Sequence, residues 1–187
     1  GNGNDGSVFG ATLTSDRNGS AGSAYRFNDE DDRIEIGSTQ SIGLQDKVTI
    51  SVWVKADSGS HIISNERFSE VGGGDLRLFT NGGNANDLTG YRFYVSDNNA
   101  TNITIPGGIG LMEWHHITVV HKDSEARIYY DGEISSEETS FHDFYPSSHT
   151  LAIGRSGERE SYESMIGKID DVRIYNRALS DAEIQAL

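Results

Sequence analysis

Residues 47–55 read Lys-Val-Thr-Ile-Ser-Val-Trp-Val-Lys, and this stretch decides the fold. Side chains alternate between the two faces of an extended chain, so one face carries Val48, Ile50, Val52 and Val54. The other face carries Thr49, Ser51 and Trp53. Alternation with a period of two is typical of a β-strand that covers a hydrophobic core with one face. We therefore predict a strand here, with the valine face in the core.

The same alternation recurs in both directions along the chain. It predicts strands at residues 90–96 and 114–121, and the polar residues 122–125 then lead into a further strand at 126–130. Asp131-Gly132 follows directly. This pair is typical of a two-residue hairpin turn, because both positions accept a positive φ.

The remaining strand predictions complete an all-β chain. They cover residues 24–28, 32–36, 61–64, 75–80, 101–105, 150–154 and 166–175. Many short strands separated by Gly, Asn and Asp turns predict a two-sheet antiparallel β-sandwich of the jelly-roll type. Ser180-Asp-Ala-Glu183 is a capping box, which predicts a short C-terminal helical turn that packs Ile184 and Leu187 on the edge of the sandwich.

Composition excludes several classes of protein. The 187 residues carry 15 basic and 29 acidic side chains, a formal net charge of −14. This charge repels phosphate backbones, so nucleic acid is not an expected partner. No apolar run approaches the roughly 20 residues of a membrane span, and we expect no membrane insertion. The chain has no cysteine, which excludes disulfides, thiolate metal sites and a cysteine nucleophile.

The acidic surplus itself has two interpretations. Asp and Glu on a surface most often serve solubility. They can also gather to hold a hard cation such as calcium, which takes 6–8 oxygen ligands.

We predict that the chain is not an enzyme. Retaining glycosidases need two carboxylates that face one groove about 5–5.5 Å apart, and no Glu-x-Asp-x-Glu strand pattern occurs here. The nearest approximations lie in turn-rich segments, namely Glu30 and Asp32, and Glu158, Glu160 and Glu163. His115 and His121 lie on one face of a predicted strand about 20 Å apart, too far to share a zinc ion. Partly buried, hydrogen-bonded rings are the better interpretation for His115 and His116.

Several segments together resemble one known family. The clearest is the C-terminal run Ile166-Gly-Lys-Ile-Asp-Asp-Val-Arg-Ile-Tyr-Asn-Arg-Ala-Leu-Ser. Further matching segments are residues 23–28, 31–36, 48–54, 114–120 and 128–134. Taken in the order in which they occur along the chain, these segments resemble laminin G-like domains of the concanavalin A-like lectin/glucanase superfamily. The resemblance implies a jelly roll that binds glycans or proteins, often with calcium, in secreted or cell-surface proteins.

The resemblance also implies where the domain was cut. Residues 1–6, Gly-Asn-Gly-Asn-Asp-Gly, resemble a loop that follows a first strand in the family. We therefore interpret residues 1–187 as a single laminin G-like domain, excised from a larger protein and lacking its first strand. Because this would leave a sheet edge unpaired, we expect that edge to be supplied differently or cut away.

Calcium is the cofactor that the resemblance implies. It assigns Asp170 as a ligand, together with Asn2, Asn4 and Asp5 of the N-terminal loop. Because successive strand side chains point to opposite faces, Asp170 and Asp171 are not expected to reach the same ion. The alternative is that Asp170 only accepts hydrogen bonds from backbone amides.

Sugar binding needs an aromatic face together with planar polar groups. Loop segments supply both kinds of side chain, and if these loops converge at one rim they form a glycan site of Arg67, His142, Tyr145, Arg155 and Tyr162. The predicted function is a noncatalytic, lectin-like carbohydrate-binding module, monomeric as an isolated domain, whose partner is a glycan or polysaccharide. The alternatives are a protein-binding or structural adhesin domain and, with less support, a polysaccharide-cleaving enzyme.

Overall fold

The long strand that the sequence predicted lies at the centre of one of two β-sheets. The computed structural model describes residues 5–58, 61–65, 75–81, 90–96, 101–105, 112–141, 145–155 and 164–187. The first sheet has the order β1 (Ser7–Phe9), β4 (Arg33–Ser38), β13 (Thr150–Ile153), β6 (His61–Ser64), β7 (Asp75–Asn81), β8 (Gly90–Ser96) and β9 (Thr101–Thr104). The second has the order β12 (Glu133–Glu138), β11 (Glu125–Tyr130), β10 (His115–Lys122), β5 (Lys47–Ser58), β14 (Ile166–Tyr175), β3 (Ala24–Phe27) and β2 (Thr12–Thr14).

All strand pairs within the two sheets are antiparallel. The predicted two-sheet antiparallel β-sandwich is therefore confirmed. The Asp131-Gly132 turn is confirmed as well, with φ of 49° and 85° at its two residues. Strands β1 and β2 were not predicted, since three residues are too short for an alternating pattern to be recognised.

The core lies between the sheets, where the predicted apolar face of β5 is fully buried. Val48, Ile50, Val52 and Val54 are each 0% exposed. The opposite face of β5 is covered too, because Thr49 and Ser51 are also buried. Thr49 Oγ1 donates to the carbonyl of Arg177 and accepts from the amide of Leu179, so the C-terminal segment lies on this outer face.

The single helix described, α1 (Asp181–Ile184), begins with the predicted capping box. Ser180 Oγ accepts from the Glu183 amide, and the Glu183 carboxylate accepts from the Ser180 amide. Ile184 is buried with Val120 and Tyr129 of the second sheet. The helix therefore packs on the outer face of the sheet, whereas the sequence suggested its edge. In the described part of the chain, no helix is long and apolar enough to cross a membrane.

Strand direction places the connections at two opposite ends of the sandwich. One end, called here the Arg155 end, holds residues 28–32, 131–132 and 154–155. The other, called the Tyr145 end, holds residues 39–46, 123–124 and 145–149.

Candidate functional site

A polar and aromatic cluster lies on the outer face of the second sheet. Its members, called here the Arg17 cluster, are Arg17, Trp53, His116, Asp170 and Asp171. Arg17 Nη1 lies 2.6 Å from Asp170 Oδ2, and Nη2 lies 2.8 Å from Asp171 Oδ2. The guanidinium carbon lies 4.7 Å from the ring centroid of Trp53. One guanidinium therefore pairs with two carboxylates and contacts an aromatic ring.

Both carboxylates reach Arg17 because β14 does not alternate regularly. Its pairing with β5 shifts register between Asp170 and Arg173, and Asp171 has a φ of 46°. This irregularity turns the side chain of Asp171 toward the one that precedes it. The expectation that these two side chains point to opposite faces is therefore wrong, whereas the expectation that only one of them reaches a given ion stays a prediction.

His116 of β10 is the remaining member of the cluster. Its ring stacks on Trp53 with centroids 5.0 Å apart and an interplanar angle of 12°. Its Nε2 lies 2.8 Å from Ser51 Oγ, and its backbone amide donates to Asp131 Oδ1 at 2.7 Å. Burial lowers the pKa of His116 below its ordinary value, with a smaller opposing effect from Asp131. The ring is therefore neutral at pH 7, and Trp53 lies between it and Arg17.

His115 has a separate set of partners at the Arg155 end. Its Nδ1 lies 3.1 Å from Asp131 Oδ2 and 2.7 Å from the hydroxyl of Tyr130. Burial, together with the charges of Asp131 and Glu113, raises the pKa of Tyr130 to about 12. Both neighbouring histidines are thus buried and hydrogen-bonded, as the sequence indicated.

The described residues do not by themselves provide a calcium site at Asp170. The Asp170 side chain is 6% exposed and its carboxylate is held by Arg17, which a cation would have to displace. No group of three or more His, Asp or Glu residues that could hold a metal occurs within the described ranges. Asp5 is exposed, and Asn2 and Asn4 lie outside the described residues. The calcium site stays a prediction.

Tyr145 lies on a segment that is hydrogen-bonded, at Ser147, to three other residues. Its side chain is 53% exposed. Two residues later, Ser147 donates its amide to Thr39 Oγ1 and accepts the amide of Gln40 on its carbonyl. Ser147 Oγ accepts from Nδ2 of Asn65, a residue that is 0% exposed. At the Tyr145 end, an exposed aromatic ring therefore lies two residues from the hydrogen-bonded Ser147.

Arg155 lies at the other end of β13. Its Nη1 is 2.8 Å from Asp31 Oδ1, in the turn between β3 and β4. That turn is itself ordered, since the buried Asp32 accepts from the amides of Asn28 and Asp29. Ser164 Oγ also donates to the carbonyl of Glu30. The carboxylates of Asp31 and Asp32 thus bond to the protein's own groups.

Of the five predicted glycan-binding residues, the structure describes two, Tyr145 and Arg155, and these lie at opposite ends of the molecule. The structure does not bring Tyr145 and Arg155 together, because they lie beyond opposite ends of β13. Arg67, His142 and Tyr162 lie outside the described residues, as do Glu158, Glu160 and Glu163.

Sequence reasoning did not single out Arg17. It lies in the segment Ser15-Asp-Arg-Asn-Gly-Ser20, where nothing in the pattern distinguishes it from a solvated loop arginine. Trp53 was correctly placed on the outer face of its strand, and the sequence had also singled out His116, Asp170 and Asp171, but nothing in it joined these residues into one cluster.

Comparison with known proteins agrees with this architecture. Residues 28–185 match the sequence profile of the Concanavalin A-like lectin/glucanases superfamily. The chain therefore belongs to this superfamily. A curated relative, usherin from Rattus norvegicus, is 26% identical over 159 residues, which is 80% of this chain and 3% of usherin. The chain thus spans only a small part of that relative's length.

Solved structures share the fold at low sequence identity. One is domain 4 of a GH43 extracellular arabinanase from Geobacillus stearothermophilus, in complex with arabinotriose, with a TM-score of 0.75 and 18% identity. The alignment covers 97% of this chain and 86% of that domain. The binding domain of Paraclostridial Mosquitocidal Protein 1 has a TM-score of 0.74 and 16% identity, with coverage of 100% and 47%. The binding domain of botulinum neurotoxin serotype G has a TM-score of 0.70 and 14% identity, with coverage of 98% and 46%. Similar structures therefore include carbohydrate-binding and receptor-binding domains.

Proposed function

We propose that the chain is a noncatalytic carbohydrate-binding module of a secreted or cell-surface protein, with its site at the Tyr145 end. The arabinanase domain supports the ligand class, since its structure contains arabinotriose and aligns with nearly the whole chain. The toxin neighbours are binding domains, which supports a noncatalytic role. That arabinanase is extracellular, which supports the proposed location.

The observation that carries the proposal is the exposed ring of Tyr145 on its anchored segment. A sugar stacks its C–H face on an aromatic ring, and binding is tighter when that ring is already held in place. Ser147 supplies the anchor through Thr39, Gln40 and Asn65.

Arg67 and His142 are the proposed polar partners of Tyr145. Arg67 comes two residues after Asn65, which bonds to Ser147, and His142 comes three residues before Tyr145. Both are thus close in sequence to residues at the Tyr145 end. Arg155 and Tyr162 remain a separate proposal, for a contact at the Arg155 end.

Retention on immobilised arabinan and on a panel of other polysaccharides tests the sugar site. We expect Tyr145→Ala to weaken binding about tenfold, the effect of losing roughly 1.4 kcal/mol of stacking. Phe9→Ala is the matched control, since Phe9 is 40% exposed on β1 and pairs with Arg33 next to the Arg155 end, away from Tyr145. Equal binding by both variants would refute the site. No binding of any glycan by the unaltered chain would favour the protein-binding alternative, and release of sugar products would favour the enzyme.

Calcium is a second proposal, with Asp170, Asn2, Asn4 and Asp5 as its ligands. It requires that the ion either displaces Arg17 from Asp170 or uses the remaining oxygens of the loop. A bound ion raises stability by mass action, so chelation should lower the melting temperature. Asp170→Asn should remove this response to the chelator. An unchanged melting temperature on chelation would refute the proposal.

A further inference from the structure

A turn with an exposed glutamine lies beside the segment that carries Tyr145. Gln40 donates its backbone amide to the carbonyl of Ser147 at 3.0 Å. Thr39, the residue before it, accepts the Ser147 amide on Oγ1 at 2.8 Å. Tyr145 precedes Ser147 by two residues, which span at most about 7 Å of chain. The exposed side chains of Gln40 and Tyr145 therefore lie within reach of one oligosaccharide.

Hydrogen bonds within the turn hold the backbone of Gln40 in place. The Gly43 amide donates to the Gln40 carbonyl at 3.2 Å. Ser38 and Ser41 also bond to each other, since each accepts the other's amide on its hydroxyl. A group that is already held in place loses less conformational freedom when a ligand binds, and this favours affinity.

The side-chain amide of Gln40 is available to a ligand. It is exposed and bonds to no residue in the described part of the chain, whereas the hydroxyl of the neighbouring Ser41 donates to the Ser38 carbonyl. A glutamine amide offers one accepting oxygen and two donating N–H groups. It can therefore accept from one hydroxyl of a sugar and donate to the next, while Tyr145 stacks on the ring.

The charges at the Tyr145 end include no surplus of basic groups. Lys47 Nζ lies 3.5 Å from Asp123 Oδ1, so this lysine is paired. The other described Asp, Glu, Lys or Arg side chains in this end or directly flanking it are Asp46, Lys122 and Glu125. Acidic groups thus outnumber basic ones here, and the whole chain has a net charge of −14. An anionic polysaccharide is repelled both locally and by the molecule as a whole.

We infer, on the basis of the proposed sugar site, that the Tyr145 end selects neutral polysaccharides over those with carboxylate or sulfate groups. Gln40 is a specificity-determining residue of this site. It exchanges hydrogen bonds with sugar hydroxyls, and Tyr145 supplies the stacking face. Neither interaction is an ion pair, so affinity for the neutral ligand does not depend on ionic strength.

Retention of the chain 1–187 on two sets of immobilised polysaccharides tests the ligand class. The neutral set is arabinan, galactan and mannan, and the anionic set is polygalacturonate, alginate and heparin. We expect retention on at least one neutral polysaccharide and on no anionic one. Raising NaCl from about 0.01 M to about 0.15 M shortens the Debye length from about 30 Å to about 8 Å and should leave the neutral retention unchanged.

A matched pair of glutamine variants tests the role of Gln40 in binding an oligosaccharide of the retained polysaccharide. Gln40→Ala should weaken binding about fivefold, as expected for a lost hydrogen bond. Gln185→Ala should leave it unchanged, because Gln185 is exposed at the end of α1 on the outer face of the second sheet. Gln40→Glu should also weaken binding, since a carboxylate cannot donate. A thermal melt checks that all three variants fold.

Two outcomes would overturn this selectivity alone, provided that Tyr145→Ala still weakens sugar binding. The first is stronger retention on an anionic polysaccharide than on any neutral one, which would assign the site to an ionic contact. The second is equal binding by Gln40→Ala and Gln185→Ala. No retention on any polysaccharide of either set would contradict the proposed function and this selectivity together.

Discussion

At the scale of single residues, Arg17 stabilises the outer face of the second sheet by holding a buried negative charge. The Asp170 side chain is 6% exposed, and Arg17 is its ion-pair partner. Removing one member of such a pair leaves the other desolvated and unpaired, which costs more than the pair contributes. Arg17 therefore matters more for stability than its place in a polar loop indicates.

Substitution of Arg17 by Met should lower the free energy of unfolding by about 2 kcal/mol in urea denaturation. This is below the roughly 3–5 kcal/mol of a fully buried pair, because Arg17 retains some contact with solvent. Arg177→Met is the matched control, since Arg177 pairs with the exposed Glu183 and should matter little. Adding Asp170→Asn to the Arg17 variant should restore part of the loss. Equal effects of the two arginine variants would contradict this account.

His116 should make stability depend on pH. Its pKa is lowered by burial in the folded chain, whereas the unfolded chain has the ordinary value of about 6.5. Below that pH the unfolded state binds more protons, so the free energy of unfolding should fall as the pH falls from about 7.5 to 5.5. His116→Gln should have a shallower dependence over this range. Identical slopes for the two proteins would show that another group is responsible.

At the scale of secondary-structure elements, one hydroxyl group attaches the C-terminal segment to β5. Thr49 Oγ1 donates to the Arg177 carbonyl at 2.8 Å and accepts from the Leu179 amide at 3.0 Å. The segment that leads into α1 is therefore attached to the centre of the second sheet. This attachment explains why a polar residue on the outer face of β5 is 0% exposed.

Replacing Thr49 by Val keeps the shape of the side chain but leaves a buried carbonyl and amide unpaired. We expect a loss of about 1–3 kcal/mol in the free energy of unfolding. Thr12→Val on the exposed edge strand β2 is the matched control and should be nearly neutral. A Thr49 variant as stable as the control would contradict this role of the hydroxyl.

The element boundaries were largely readable from the sequence because alternation and turn chemistry are local. The valine face of β5, the Asp131-Gly132 turn and the Ser180 capping box all depend on residues within a few positions of one another. The pairing of Asp171 with Arg17 was not readable, since it joins residues more than 150 positions apart in the chain. The same holds for the burial of Thr49, which needs the C-terminal segment.

At the scale of the whole molecule, the predicted sugar site required that the loops carrying its residues lie at the same end of the sandwich. Residue type correctly marked Tyr145 as an exposed aromatic and Arg155 as a loop cation. It could not give the end of the sandwich at which each lies, because that follows from the order and direction of strands in the two sheets. Strand β13, only four residues long, separates the two positions.

Because the two ends are separate, binding at the Tyr145 end should not depend on Arg155. We expect Arg155→Ala to keep wild-type affinity for any glycan that the chain binds, whereas Tyr145→Ala loses about tenfold. The double variant should match Tyr145→Ala, since distant sites without shared partners add independently. Isothermal titration of all four proteins with one oligosaccharide measures this. A loss on Arg155→Ala comparable to that on Tyr145→Ala would mean that one ligand spans both ends, as the sequence alone had suggested.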